Sequence, residues 1–99
     1  MTDRPRQFYR LETAAALVRL PPARIRRYVR IGLVRPVRVA GRTAIFGDEE
    51  LARLRKISRL GDHLGLNDAG IEVVLRLLDE IERLREAVDA RSGAPDERA

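Results

Sequence analysis

Two adjacent prolines, Pro21 and Pro22, interrupt what would otherwise read as one helical stretch from Tyr9 to Ile31. Proline has no N–H to donate, and its ring collides with the carbonyl one turn earlier, so a helix cannot run through the pair. Its fixed φ does suit the first turn of a new helix. The stretch therefore divides into two helices joined by a very short turn. The first lies within YRLETAAALVRL, Tyr9 to Leu20, where Ala14, Leu17 and Val18 recur at helical spacing. The second runs from about Pro22 to Ile31, with Ile25, Tyr28 and Val29 on its inner stripe and Arg24, Arg26, Arg27 and Arg30 projecting elsewhere. Gly32 is placed to cap its C-terminus, and Pro36 ends the run. This is the pattern of a helix-turn-helix.

Period-2 alternation follows. In VRVAGRTAIF, Val37 and Val39 alternate with Arg38 and Ala40, Gly41-Arg42 can turn, and Ala44 and Phe46 sit two apart. The segment predicts a small β-hairpin, or wing. Asp48 reads as the N-cap of a third helix, with Glu49 and Glu50 in its first turn. Leu51, Leu54, Ile57 and Leu60 or Leu64 are its core positions, and residues 61–66 form a break. Asn67 caps a fourth helix, about Asp68 to Ala90. Val74, Leu77, Ile81, Leu84 and Val88 make a 3-4-3-4 seam of two heptads on it, while Ile71, Leu75 and Leu78 make a second stripe. Glu72/Arg76, Asp79/Arg83 and Arg85/Asp89 are i,i+4 pairs. The reading is a mainly α winged helix-turn-helix with a small β-hairpin wing and a C-terminal amphipathic helix. Its parts are a flexible arm at 1–8, a domain at 9–66, a dimerisation or partner helix at 67–90 and a disordered tail at 91–99.

Charge separates these parts. Residues 1–47 carry eleven Arg against Asp3 and Glu12, a net of +9, whereas residues 48–99 carry a net of −4. A basic half joined to an acidic half points to one surface for a polyanion and another for a different partner. The chain has no cysteine and a single histidine, His63. That excludes disulfides and thiolate metal sites and argues against a His-based zinc site or a Ser-His-Asp triad. No phosphate-cradling glycine loop or paired acid and base is present, so neither a catalytic residue nor a metal or other cofactor is expected. No apolar run reaches the length of a membrane span, and the N-terminus lacks a signal-peptide core, so the expectation is a cytoplasmic protein.

The stretch YRLETAAALVRLPPARIRRYVRIGLVRP resembles the opening of MerR-family regulators. Tyr9, Leu11, Ala15 and Leu17 match the first helix of that family. Ile25, Arg26, Tyr28, Arg30, Ile31, Gly32, Leu33 and Pro36 match its second helix and exit, and IFGDEELARLRKI matches its wing-to-helix segment. The resemblance covers about residues 9–68. Two positions depart from it: the Tyr-Arg pair usual in the wing is Thr43-Ala44 here, and a second aromatic of the recognition helix is Arg27. LGLNDAGIEVVLRLLDEIERLRE, Leu64 to Glu86, resembles two chaperone-linked branches, the heat-shock repressor HspR and the CbpM-like modulators that inhibit the J-domain of a DnaJ-like co-chaperone.

The resemblance implies a DNA-binding transcription regulator, dimeric on double-stranded DNA and tied to chaperone or heat-shock genes. The alternative it implies is a chaperone modulator whose partner is a J-domain co-chaperone or a DnaK-type chaperone. Arginine grips phosphate or binds guanine in bidentate fashion. The candidate DNA-binding set is thus Arg24, Arg26, Arg27, Tyr28 and Arg30, with Arg26 and Arg27 nearest the DNA and Arg24 at the helix N-terminus, and with Arg38 and Arg42 from the wing. Tyr28 is read as a core residue with its hydroxyl toward a phosphate. The alternative for the arginines is a solvated basic face. Val74, Leu77, Ile81, Leu84 and Val88 are the candidate dimer or partner interface, the alternative being that this face packs on its own domain. Some thirty residues after Leu66 are too few to enclose a ligand pocket, so no small-molecule effector is expected.

Overall fold

The computed structural model describes residues 6–92. The order is β1 (Tyr9–Arg10), α1 (Leu11–Val18), α2 (Pro22–Arg30), β2 (Arg38–Ala40), β3 (Thr43–Phe46), α3 (Asp48–Ser58) continued by a π-helical turn (Arg59–His63), and α4 (Asp68–Ser92). Two compact units result, one up to Leu66 and one from Asn67.

The short turn required by Pro21-Pro22 closes through an unexpected residue. Arg19 adopts a left-handed conformation, φ 61°, and Leu20 N–H returns 3.1 Å to the Ala15 carbonyl. Glycine serves the same purpose at the end of α2. Gly32 has φ +86°, its N–H donates to Val29 O at 3.1 Å, and Leu33 N–H donates to Tyr28 O at 2.9 Å. That pair of bonds is a Schellman motif, and its apolar contact partners, Leu33 and Tyr28, are both buried.

The expected wing is present, with β2 and β3 antiparallel across Gly41-Arg42. Gly41 at φ +66° followed by a residue of negative φ has the sign pattern of a type II′ hairpin. A third strand accompanies it. Tyr9 and Arg10, expected as the start of α1, instead pair with Phe46 and Ile45, giving the sheet order β1-β3-β2. The two residues follow the pairing of a strand distant in sequence, Phe46 and Ile45, rather than their local helical pattern. The alternation in β2 does not bury one face: Arg38, Val39 and Ala40 are all exposed.

The core of the first unit is aliphatic. Leu11, Ala14, Ala15 and Val18 of α1 are buried, as are Ile25 and Tyr28 of α2, Ile45 and Phe46 of β3, and Leu51, Leu54 and Ile57 of α3. Leu17 faces outward, 47% exposed. Helix α3 is capped one residue earlier than expected. Gly47 is the N-cap, and Glu50 at the third helical position accepts its N–H at 2.9 Å. Gly47 has no side chain to reciprocate, so this is half a capping box. Asp48 lies in the first turn and takes the Tyr9 hydroxyl at 3.2 Å. The helical path also passes the expected break at Gly61. It widens to a π turn, buries Leu60, leaves Leu64 69% exposed and ends at Gly65, φ +74°.

Asn67 caps α4 as expected, its Oδ1 accepting Gly70 N–H at 2.8 Å. The helix is 25 residues long and includes Arg91 and Ser92, which were expected in a disordered tail. Residues 93–99 of that tail and residues 1–5 of the expected arm lie outside the described residues. Of the arm's remainder, Phe8 has the Arg38 guanidinium 5.8 Å from its ring centroid. Glu72 and Arg76 pair at 3.2 Å, and Arg83 forks onto Glu80, one turn away at i,i+3. Arg83 keeps Glu80 below the usual carboxylate range by hydrogen bonding.

A left-handed L-residue costs about 1–2 kcal/mol, which glycine avoids at some expense in unfolded-state entropy. Arg19→Gly is therefore expected to stabilise the fold by roughly 0.5–1 kcal/mol, a rise of several degrees in Tm for a domain this size. Thermal unfolding followed by circular dichroism checks it. An unchanged or lower Tm would show that the Arg19 side chain contributes more than its backbone costs.

Candidate nucleic-acid interface

Arg26 and Arg30 stand four residues apart on α2 and so share a face, with Val29 between them. This face opens onto a groove of about 300 Å³. It is also lined by Leu11 and Glu12 of α1, by Arg42 of the wing turn, and by Thr43, Ala44 and Phe46 of β3. Its lining is partly apolar and includes three arginines. Arg26, Arg30, Arg42 and Glu12 are all exposed. A nine-residue helix is roughly 13 Å long, a size that the major groove of B-DNA accommodates.

The other four candidates sit differently. Arg24 turns to the π-helical segment, its Nη1 donating to Asp62 Oδ2 at 2.8 Å and Oδ1 at 3.1 Å. Ser58 Oγ also donates to Asp62 Oδ2, at 3.2 Å. The hydrogen bond to Asp62 raises the Arg24 pKa, opposed by partial burial and assisted by the nearby Tyr28. The same bond lowers the Asp62 carboxyl below its ordinary value. Arg27 lies over the Tyr28 ring, 5.3 Å from its centroid, and is half-buried. Tyr28 itself is 3% exposed, part of the core. Arg38 lies over Phe8. The structure thus brings together Arg26, Arg30 and Arg42 from two sequence segments. It places Arg24, Arg27 and Arg38 against other side chains of the same unit.

Sequence reasoning passed over Glu12 and Asp62. The first carried a signal, since Asp3 and Glu12 are the only acids of residues 1–47. The second carried none, because Arg24 and Asp62 are 38 positions apart and meet only through the fold. Among the described residues no group of His, Asp and Glu side chains gathers to hold a metal ion. No described helix is long and apolar enough to cross a membrane.

The Arg24–Asp62 bridge has a pH signature. Asp62 is a carboxylate with a depressed folded-state pKa, so its contribution is complete above the unfolded value of about 3.9 and is lost as pH falls through the lower folded value. The Tm difference between the wild type and Asp62→Asn is expected to be constant from neutral pH to about pH 5 and to narrow below about pH 4. Melting both proteins from neutral pH to about pH 2 checks it. A difference independent of pH across that window would remove the bridge as its source.

Comparisons with known proteins give the family. The family described as "MerR HTH family regulatory protein" matches residues 9–90. A "putative heat shock protein HspR" of Streptomyces coelicolor is 35% identical over 77 residues, covering 78% of this chain and 51% of that protein. The chain therefore spans about half the length of this curated relative. The matched span contains β1, both helices of the helix-turn-helix, the wing, α3 and nearly all of α4, and the chain belongs to the MerR helix-turn-helix family of regulatory proteins.

Proposed function

We propose that this protein is a DNA-binding transcription regulator, dimeric, acting at heat-shock or chaperone genes, and not an enzyme. The observation that carries the reading is the convergence of Arg26 and Arg30 of α2 with Arg42 of the wing on one groove. Helix α2 is the element that enters the major groove, and the wing turn contacts the adjacent backbone. Arg26, Arg30 and Arg42 are the direct contacts. Arg24, Arg27 and Arg38 stiffen the frame, through Asp62, the Tyr28 ring and the Phe8 ring respectively. The heat-shock assignment rests on the likeness to the Streptomyces relative. A DNA-binding role is consistent with the cytoplasmic location expected from the sequence.

Helix α4 supports the dimer. Leu77, Ile81, Leu84 and Val88 are between 45% and 58% exposed along one side, and Val74 is half-buried. Two-fold pairing would cover this side and present two α2 helices to paired half-sites. A second reading is favoured by the acids flanking the stripe, Asp79, Glu80, Glu82 and Glu86. They suit a basic helix of a J-domain co-chaperone by charge complementarity.

Two measurements test these readings. Anisotropy titrations of duplex DNA from upstream of the gene's own operon, against scrambled competitor, measure affinity as a function of salt. Arg26→Ala with Arg30→Ala is expected to weaken binding roughly ten- to a hundredfold and to reduce the salt slope by about 2, one phosphate contact per arginine. The fold is expected to stay intact because both residues are exposed. Unchanged affinity would remove the groove as the DNA site. Ile81→Glu is expected to give a monomer by sedimentation. A dimer as stable as the wild type would place the interface off α4, and a wild-type monomer that binds a J-domain would favour the second reading.

A further inference from the structure

Glu12 is out of place in a groove built only to attract phosphate. It lines the same groove as Arg26, Arg30 and Arg42, is exposed, and among the described residues forms no ion pair that would neutralise it. A carboxylate there repels a phosphate brought close to it by the neighbouring guanidinium groups. It also accepts a hydrogen bond from an amino group on a base edge, as carboxylates do from cytosine N4 in the major groove. We propose that Glu12 is a specificity-determining residue: it penalises complexes held by phosphate contacts alone and is tolerated where the DNA presents a base-edge amino donor to the groove. This rests on the DNA-binding reading of the groove.

The physical logic is that of a repulsive element. Three arginines would hold any duplex by counterion release, whatever its sequence. Discrimination is a difference of affinities, and it grows when the wrong complex is made worse as well as when the right one is made better. Helix α1 supplies this element from outside the recognition helix. Continuity from β1 into α1 helps set where Glu12 stands, since β1 is hydrogen-bonded to β3, the strand that leads out of the wing turn holding Arg42.

The test compares the wild-type chain with Glu12→Gln, which removes the charge and keeps the shape. Two probes are used, a randomised duplex pool and the pool enriched from it by the wild type. Glu12→Gln is expected to bind the random pool about three- to tenfold tighter at low salt. The enriched pool should gain much less, so that the preference for enriched over random falls by a similar factor. The salt slope on the random pool should steepen by up to about 1. Glu49→Gln removes the same charge from a position that does not line this groove, and is expected to change random-pool affinity less than about twofold. Random-pool affinity that is unchanged or weaker in Glu12→Gln overturns the proposal. So does an equal gain on both pools, or an equal gain from Glu49→Gln, which would trace the effect to net charge. If the wild type binds neither pool, the DNA-binding reading falls and this proposal with it. If the wild type binds and enriches a sequence while the preference is the same in Glu12→Gln, only the role of Glu12 falls.

Discussion

Strand β3, Thr43 to Phe46, is hydrogen-bonded along both edges, to Tyr9–Arg10 on one side and Arg38–Ala40 on the other. Four residues thereby tie the start of α1, the wing and the start of α3 into one frame. Phe46 is fully buried, so the frame is locked to the hydrophobic core as well as to the ladder. An isolated two-stranded hairpin of this size would be marginal in water, and the added strand and the helices packed on its apolar face make it persist. The groove depends on the same strand. Thr43, Ala44 and Phe46 line it, and the turn that leads into β3 carries Arg42 to the side of α2.

Arginine is the commonest charged residue of the N-terminal half, and the fold gives its copies different work. Arg24 is held by a carboxylate at 2.8 Å, Arg27 and Arg38 rest over aromatic rings, and Arg26, Arg30 and Arg42 line an open groove. A contact between a guanidinium and a ring at an exposed site is worth about 0.5–1 kcal/mol, enough to bias where a long side chain lies without fixing it. The planar fork of arginine suits all three settings, which a point charge such as lysine would not. A basic sequence run is therefore no measure of how much charge a nucleic acid would meet. The geometry divides it between framework and surface.

Much of the framework was legible residue by residue. Pro21-Pro22 divides the helices, Gly32 takes the positive φ that ends α2, Gly41 turns the wing, and Asn67 caps α4. Each of these acts within about five residues, where backbone sterics and local hydrogen bonds decide the outcome. The misread positions are those settled from a distance. Tyr9 and Arg10 join a strand because Ile45 and Phe46 offer pairing partners. Asp48 gives up the cap to Gly47 and instead accepts the hydroxyl of Tyr9, a residue 39 positions away. The alternation in Val37 to Ala40 fails as a burial signal because neither face of β2 is covered. The site was half legible. Arg26, Arg30 and Arg42 were all among the candidates, but the pair read as nearest the DNA was Arg26 and Arg27, and the nearness of Arg42 and Glu12 was not available from spacing.

Local chemistry along the chain is enough to set the helix-turn-helix, the wing turn and the amphipathic fourth helix, because proline, glycine, asparagine and helical periodicity act over one or two turns of chain. Tertiary structure alone decided which arginines stay at the groove and which are held elsewhere. That choice depends on an acid 38 residues from Arg24. It depends equally on a strand pairing that sets the N-terminal residues against the strand leading out of the wing turn. Contacts between residues so far apart in the chain exist only once the core has closed, and no local pattern of residues encodes them.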